Sequence, residues 1–188
     1  MKKIALLLVV LNLTVSNAQI KTSAEIKITE PEFSDNIVYV DKIDGTGIQL
    51  EKQTISISAK LNAGAFIPIV GIFSKSKGKN VVKGNSSPIK ITKNAKIYFI
   101  VKVSDNSTDP TSRINIFKLK KTKDTRTLET ASTNVLETKA NDIDYLSFIG
   151  KKYGKSSYII ELDNMEVGEY AITLENRRDL FNMFSVTE

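Results

Sequence analysis

Lysines dominate the residues whose types and spacing could do chemistry. Lys75, Lys77 and Lys79 alternate, Lys118, Lys120, Lys121, Lys123 and Arg126 form a second run, and Lys151, Lys152 and Lys155 a third. On an extended segment Lys118 and Lys120 share the face opposite Phe117 and Leu119. Such a row lines a path for an anionic polymer such as lipopolysaccharide, glycosaminoglycan or nucleic acid. The competing reading is structural: lysines guard strand edges against pairing with neighbouring molecules, and acids such as Asp124 and Glu129 dilute the field. The structural reading is preferred. For an anionic partner, the candidates are Lys118, Lys120, Lys121, Lys151, Lys152 and Lys155.

Acids and hydroxyls offer further chemistries. Glu161 with Asp163, and Asp142 with Asp144, are spaced to share one face of a strand, as paired glycosidase carboxylates require if they flank a cleft. Asp105, Asn106 and Asp109 make an oxygen-rich loop, which nominates Asp105 and Asp109 for calcium. The spacing fails the twelve-residue loop template, and Asp and Asn form turns through their own side chains. Gly150-Lys151-Lys152-Tyr153-Gly154-Lys155-Ser156 resembles a phosphate loop with one residue too few between its glycines. A strand follows it where a helix N-terminus is needed, so a basic hairpin is expected and no nucleotide. Ser74-Lys75-Ser76-Lys77 and Lys155-Ser156 place Ser beside Lys, but in polar loops that would keep the amine charged.

The chain has no histidine and no cysteine. Ser-His-acid and Cys-His catalysis, histidine metal sites, thiolate chemistry and iron–sulfur clusters are therefore closed to it. No cofactor is expected.

The elements that position these groups read as strands. Ala24–Thr29, Thr54–Ala59, Pro88–Thr92 and Arg113–Lys120 alternate apolar and polar residues, and Lys96–Val103 and Tyr158–Leu162 are richer apolar runs. The best helical window, Thr127–Thr138, is weakened by its Thr, Ser and Asn content. Turn signals fall between the strands at Asp44-Gly45, Asn62-Ala63-Gly64, Lys77 to Asn80, Gly84 to Ser87 and Asp105 to Pro110. Ala63 to Phe73 is apolar enough for a buried strand or an interaction surface, burial being the default. Short strands at this spacing predict an all-β sandwich. One domain over 19–188 is expected, with a boundary near 84–88 as the alternative.

Near the C-terminus, Tyr158, Ile160 and Leu162 share one strand face, a turn follows at Glu166-Val167-Gly168, and Tyr170, Ile172 and Leu174 share the next. This arrangement resembles the tyrosine corner of immunoglobulin-like and fibronectin-type sandwiches. The resemblance implies that the hydroxyl of Tyr170, just past Gly168, turns back onto the backbone a few residues upstream. On that basis Glu169-Tyr170 belongs to the scaffold and not to an active site. More widely, the order Glu30-Pro31-Glu32-Phe33, Leu50 to Gln53, Ser87 to Ile91, Tyr153 to Tyr158 and Gly168 to Tyr170 resembles uncharacterised exported bacterial proteins. That resemblance implies location and fold, and no site.

The N-terminus reads as an export signal. Lys2 and Lys3 precede a mostly apolar run from Ile4 to Val15, and Ser16 and Ala18 suit signal peptidase, which gives a cleaved segment 1–18. The run is too short to span a bilayer, and no later segment reaches the roughly 20 apolar residues required. The expected location is periplasmic or extracellular. The whole chain carries 27 basic residues against 21 acids; without Lys2 and Lys3 the balance is 25 against 21, or +4. That is mildly basic and argues against a nucleic-acid footprint. The expected role is a non-enzymatic envelope or surface module that binds a protein or an anionic glycan. The alternatives are a carboxylate-dependent glycan hydrolase and a purely structural accessory domain.

Overall fold

The computed structural model describes residues 26–41, 47–60, 76–134, 137–140 and 143–188. The expected signal segment, the Asp44-Gly45 turn, the stretch from Asn62 to Phe73, Ser74-Lys75 and Asp142 lie outside those residues.

Alternating and β-branched sequence gives strands throughout. In chain order they are β1 (Ile37–Tyr39), β2 (Ile48–Gln49), β3 (Glu51–Thr54), β4 (Ser56–Lys60), β5 (Ser76–Lys83), β6 (Lys90–Thr92) and β7 (Lys96–Lys102). Then follow β8 (Ile114–Lys121), β9 (Thr125–Asn134), β10 (Glu137–Ala140), β11 (Ile149–Tyr153), β12 (Ser157–Asp163), β13 (Gly168–Leu174) and β14 (Arg177–Thr187). A single 3-10 turn, Pro110–Ser112, is the one helical element among the described residues, and no helix there is long and apolar enough to cross a membrane. Of the helical window at Thr127–Thr138, residues 127–134 lie instead in β9 and residues 137–138 in β10, which pairs antiparallel with it. Its Thr-rich sequence suits a pleated surface better than a helix.

One sheet has five antiparallel strands in the order β11-β12-β7-β1-β2. The other has nine: β3-β14-β13-β8-β9-β5-β4, with β10 beside β9 and β6 parallel to β14. Its two ends are the same piece of chain. β3 pairs with β14, β4 pairs with β5, and only Ile55 separates β3 from β4. The sheet therefore curls into a near-barrel.

The sheets meet over a shared core. Ile37, Phe99, Val101, Tyr158 and Ile160 face Ile116, Tyr170, Ile172, Phe184 and Val186 across it. The Phe99 and Phe184 rings lie 4.8 Å apart, and Tyr170 stacks on Phe184 at 5.5 Å. Each fully buried ring contributes about 1.5–3 kcal/mol of transfer free energy. A second cluster of Val82, Phe117, Leu119, Ala171, Phe181 and Met183 fills the inside of the curl. Strands β8, β13 and β14 are consequently buried on both faces along much of their length. At the entry to β13 the Tyr170 hydroxyl donates to the Glu166 carbonyl at 2.8 Å.

A third, smaller cluster covers the outer face of the five-stranded sheet, where Ile28 packs with Val38, Val40 and Ile100. Ala24–Thr29 reads as a strand in the sequence, yet its described residues, 26–29, and Glu30 after them join no ladder. They lie as an extended strap held by side chains. The Ile28 amide donates to the Tyr153 hydroxyl at 2.9 Å, and that hydroxyl shares its proton between the Ile28 carbonyl, which is the nearer, and the Ile26 carbonyl at 3.2 Å. Glu30 enters the β11–β12 turn. Its carboxylate accepts from the Lys155 and Ser156 amides, from the Ser157 hydroxyl at 2.8 Å and from the Lys102 ammonium at 2.7 Å. Gly154 has φ +53°, and a Cβ there would meet the Glu30 carboxylate at 1.8 Å, so the turn needs glycine on both counts.

Two outcomes follow. Tyr170→Phe leaves the ring packing and orphans the Glu166 carbonyl, so urea denaturation should report a loss of about 1 kcal/mol with an unchanged slope. For Glu30, burial pushes the carboxyl up, but the bonds from Lys102, Lys155, Ser157 and Ser156 outweigh it and hold the group at about 2, against an ordinary 4.5. A depressed folded pKa means that its stabilisation is present above 4.5 and fades as pH falls towards 2. Glu30→Gln should cost about 2 kcal/mol at pH 7, and urea midpoints taken across pH 2–7 should show the two proteins converging in that acid window.

Candidate functional site

Where β8 and β14 end and β13 begins, a cleft of about 450 Å³ opens at one end of the near-barrel. Its lining includes Ser86, Lys90, Lys118, Lys121, Glu169 and Ser185. The parallel pairing of β6 with β14 sets Lys90 opposite Ser185. Lys118 and Lys121, near the end of β8, both reach the same mouth.

The floor is a buried charge network. Arg126 on β9 is wholly buried. Its Nη1 and Nη2 donate to the two carboxylate oxygens of Glu51 at 2.9 and 3.0 Å. Nε donates to the Gly84 carbonyl and Nη2 also to that of Lys83, both at 3.1 Å. The remaining side of Nη1 faces Glu169 at 3.8 Å. Burial pushes the Glu51 carboxyl up, but the bonds from Arg126, Gln53 and Ser87 and the Arg126 charge more than offset that and hold it below the usual range. Gln53 helps to close the seam. Its amide nitrogen donates to the Lys83 carbonyl and its oxygen accepts from the Lys83 amide, both at 3.1 Å, as a backbone rung between β3 and β5 would.

Glu169, 6 % exposed, passes this order to the cleft. Its Oε2 accepts from the Ser87 amide at 2.9 Å; its Oε1 accepts from the hydroxyls of Ser86 and Ser185, each at 2.8 Å. A serine hydroxyl has one proton. With both protons turned to Glu169, the lone pairs of Ser86 and Ser185 receive the Lys90 ammonium, the latter at 3.0 Å. Two of the three N–H bonds of Lys90 are thereby fixed and the third is free for a ligand. The serines donate to a carboxylate that shares the charge of Arg126 with Glu51. That arrangement fixes a cation and does not generate a nucleophile.

Lys118 lies at the rim. It bonds Glu166 at 2.8 Å, which holds its ammonium above the ordinary range, and sits 5.8 Å from the Tyr170 ring centre. Gly168 gives it room, since a Cβ there would come within 2.7 Å of the Lys118 stem.

The sequence candidates divide. Lys118 and Lys121 reach the cleft. Lys120 is exposed on β8 outside its lining, and Lys151, Lys152 and Lys155 belong to the β11–β12 hairpin of the other sheet. β11 is an edge strand, so Lys151 and Lys152 stand where edge protection needs them. They also face acids. Glu161 is held low by Lys96 first, then by Tyr98 and the Lys151 charge; Asp105 is held low by Ser107 first, with Arg113 and Lys152 adding to it. Asp105 accepts from the Ser107 amide and hydroxyl, and Asp109 from the Thr111 amide at 2.8 Å and its hydroxyl, so both act as turn formers. Among the described residues no three acids converge. Glu161 pairs with Lys96, while Asp163 is exposed. The glycine-flanked loop at Gly150 to Ser156 does present amides to an anion, and that anion is Glu30.

Sequence reasoning missed Lys90, Ser86, Ser185 and the buried role of Arg126. Lys90 sits in a run read as a plain half-buried strand. Arg126 reads as one more surface cation. One signal was available: in Gly168–Leu174 the face opposite Tyr170, Ile172 and Leu174 carries Glu169, Ala171 and Thr173, too apolar at its centre for a solvated face.

No protein-family model matches the chain, and no curated protein matches it. The functional reading therefore rests on this geometry.

Removing Arg126 alone leaves two buried carboxylates facing each other. Arg126→Met should cost about 3–5 kcal/mol in chemical denaturation, and adding Glu51→Leu with Glu169→Met should restore most of it.

Proposed function

We propose that the chain is a non-enzymatic, exported module of the bacterial envelope or surface that binds an acidic glycan at the cleft. In this reading the sandwich is of the immunoglobulin-like kind and follows a signal segment cleaved after Ala18. The tyrosine at the β13 corner and the Lys2-Lys3 leader support those two statements. The observation that carries the function is the trio Lys90, Lys118 and Lys121 around one open cleft, with Lys90 fixed from below by two serines.

An acidic glycan suits this mouth because its carboxylates or sulfates are spaced along a chain and accept N–H bonds from separate ammonium groups. The hydroxyl lone pairs of Ser86 and Ser185 face Lys90, which leaves charge as the main recognition element. The described carboxylates near the cleft are engaged in ion pairs or serine bonds, which supports binding over hydrolysis. The lysines of the β11–β12 hairpin stand apart and serve the sheet edge.

Binding of polygalacturonate, heparin and neutral dextran to the full chain, followed by calorimetry from low to high salt, tests this. The acidic polymers should bind, dextran should not, and affinity should fall steadily with salt. Lys90→Ala and Lys121→Ala should each weaken binding roughly fivefold, the equivalent of about 1 kcal/mol for an exposed charge contact. Lys151→Ala should leave it unchanged. Equal loss for Lys151→Ala and Lys90→Ala would place the partner elsewhere.

A further inference from the structure

We propose that the outer face of the five-stranded sheet is a receptacle for an extended segment, and that it takes residues 26–30 from a second copy of this chain as well as from its own. The receptacle reads three features at strand spacing. Ile26 and Ile28 meet the apolar patch of Val38, Val40 and Ile100. The Tyr153 hydroxyl accepts from one strap amide and donates to a strap carbonyl. The Glu30 carboxylate fills the β11–β12 turn against two amides, the Ser157 hydroxyl and Lys102. This is a specific seat for the pattern apolar, any, apolar, any, Glu.

The strap can change seats without disturbing the sheets, because it contributes no ladder hydrogen bond. β1 is secured independently: the Asp35 amide donates to the Lys102 carbonyl at 3.0 Å and the Lys102 amide to the Asn36 carbonyl at 2.9 Å. The hinge is thus the short piece from Pro31 to Ser34. Its return turn is closed by one bond, from the Asn36 amide to the Phe33 carbonyl at 3.2 Å. Phe33 sits in this hinge with 64 % of its surface exposed, the most exposed large apolar side chain among the described residues. Reciprocal exchange between two copies keeps every seat contact and generates a closed two-fold dimer. The contacts that differ are at the hinges, which cross near the axis and bring the two Phe33 rings together out of water. Hydrophobic burial at the hinge is the term that favours the exchanged form.

The test is complementation between two full-length variants. Ile28→Asp with Glu30→Ala has a spoiled strap and an intact seat. Tyr153→Phe with Lys102→Gln and Ser157→Ala has the reverse. Each alone should run at the mass of one chain by light scattering after chromatography, and the pair co-refolded from urea should double that mass. Phe33→Ser added to both should return the mixture to one chain. A mixture that stays at one-chain mass overturns the proposal, as does a spoiled-strap variant that dimerises by itself. Circular dichroism checks that each variant folds; if either does not, the single changes Glu30→Gln and Ser157→Ala carry the same mixing test, read as a shift in dimer fraction.

Discussion

A guanidinium with no access to water holds the curled sheet shut. Arg126 spans the seam where β3 and β5 approach, bonding the Glu51 carboxylate on one side and the Lys83 and Gly84 carbonyls on the other. Arginine suits this place because its planar fork offers five donors in fixed directions, and four of them find hydrogen-bond acceptors here while the fifth faces Glu169. Burying one cation between two carboxylates is costly in desolvation, and a well-packed apolar seam would be no less stable. What the charged version adds is direction. An apolar plug could not orient Glu169, and without Glu169 the hydroxyls of Ser86 and Ser185 would have no reason to turn their protons inward.

That directional chain separates what sequence conveys from what it hides. The alternation in Pro88–Thr92 and Tyr158–Leu162 is visible because each strand has one face on the shared core. The Tyr170 corner is visible because its bond to Glu166 is local, four residues back. The near-barrel is not. Its closure rests on pairs such as Gln53 with Lys83 and Glu51 with Arg126, 30 and 75 residues apart, and no local pattern encodes who meets whom. Strands buried on both faces blur the period of two as well, so Phe181–Val186 gives little hint of which side each residue takes. The strap illustrates the converse. Ala24–Thr29 has strand periodicity, yet periodicity reports only that alternate residues are buried, and residues 26–30 achieve this against a sheet face without joining a ladder.

The lysines show the same limit in electrostatic terms. By composition the run in β8 and the run in β11 look alike, and both were candidates for an anionic partner. Topology distinguishes them. β11 has one free edge, and its lysines stand beside Glu161 and Asp105, so their field is largely cancelled within a Debye length. β8 pairs with β13 along Ile114–Leu119 and with β9 at Lys120 and Lys121, and two of its lysines, Lys118 and Lys121, open onto the cleft. Lys90 is the sharper case. It is a single lysine outside every cluster, and it becomes the best-anchored cation of the cleft because β6 runs parallel to β14 beside Ser185.

Rigidity is distributed unevenly around the cleft, and this bears on how a ligand would be held. Lys90 is fixed through two serines to Glu169 and from there to the buried arginine, so little side-chain freedom remains to be lost when an anion arrives. Ordering a free lysine can consume about 0.5–1.5 kcal/mol of the gain. Lys118 is half-committed, since its Glu166 partner is 80 % exposed and water competes for that pair as readily as a ligand does. Lys121 lies exposed at the outer rim and contributes mainly attraction at a distance, which speeds encounter more than it slows release. A cleft with one fixed cation and two yielding ones favours an anionic group that docks first on Lys90. The other two can then adjust to the next charge along a chain, which a polymer with variable spacing needs and a single small anion does not.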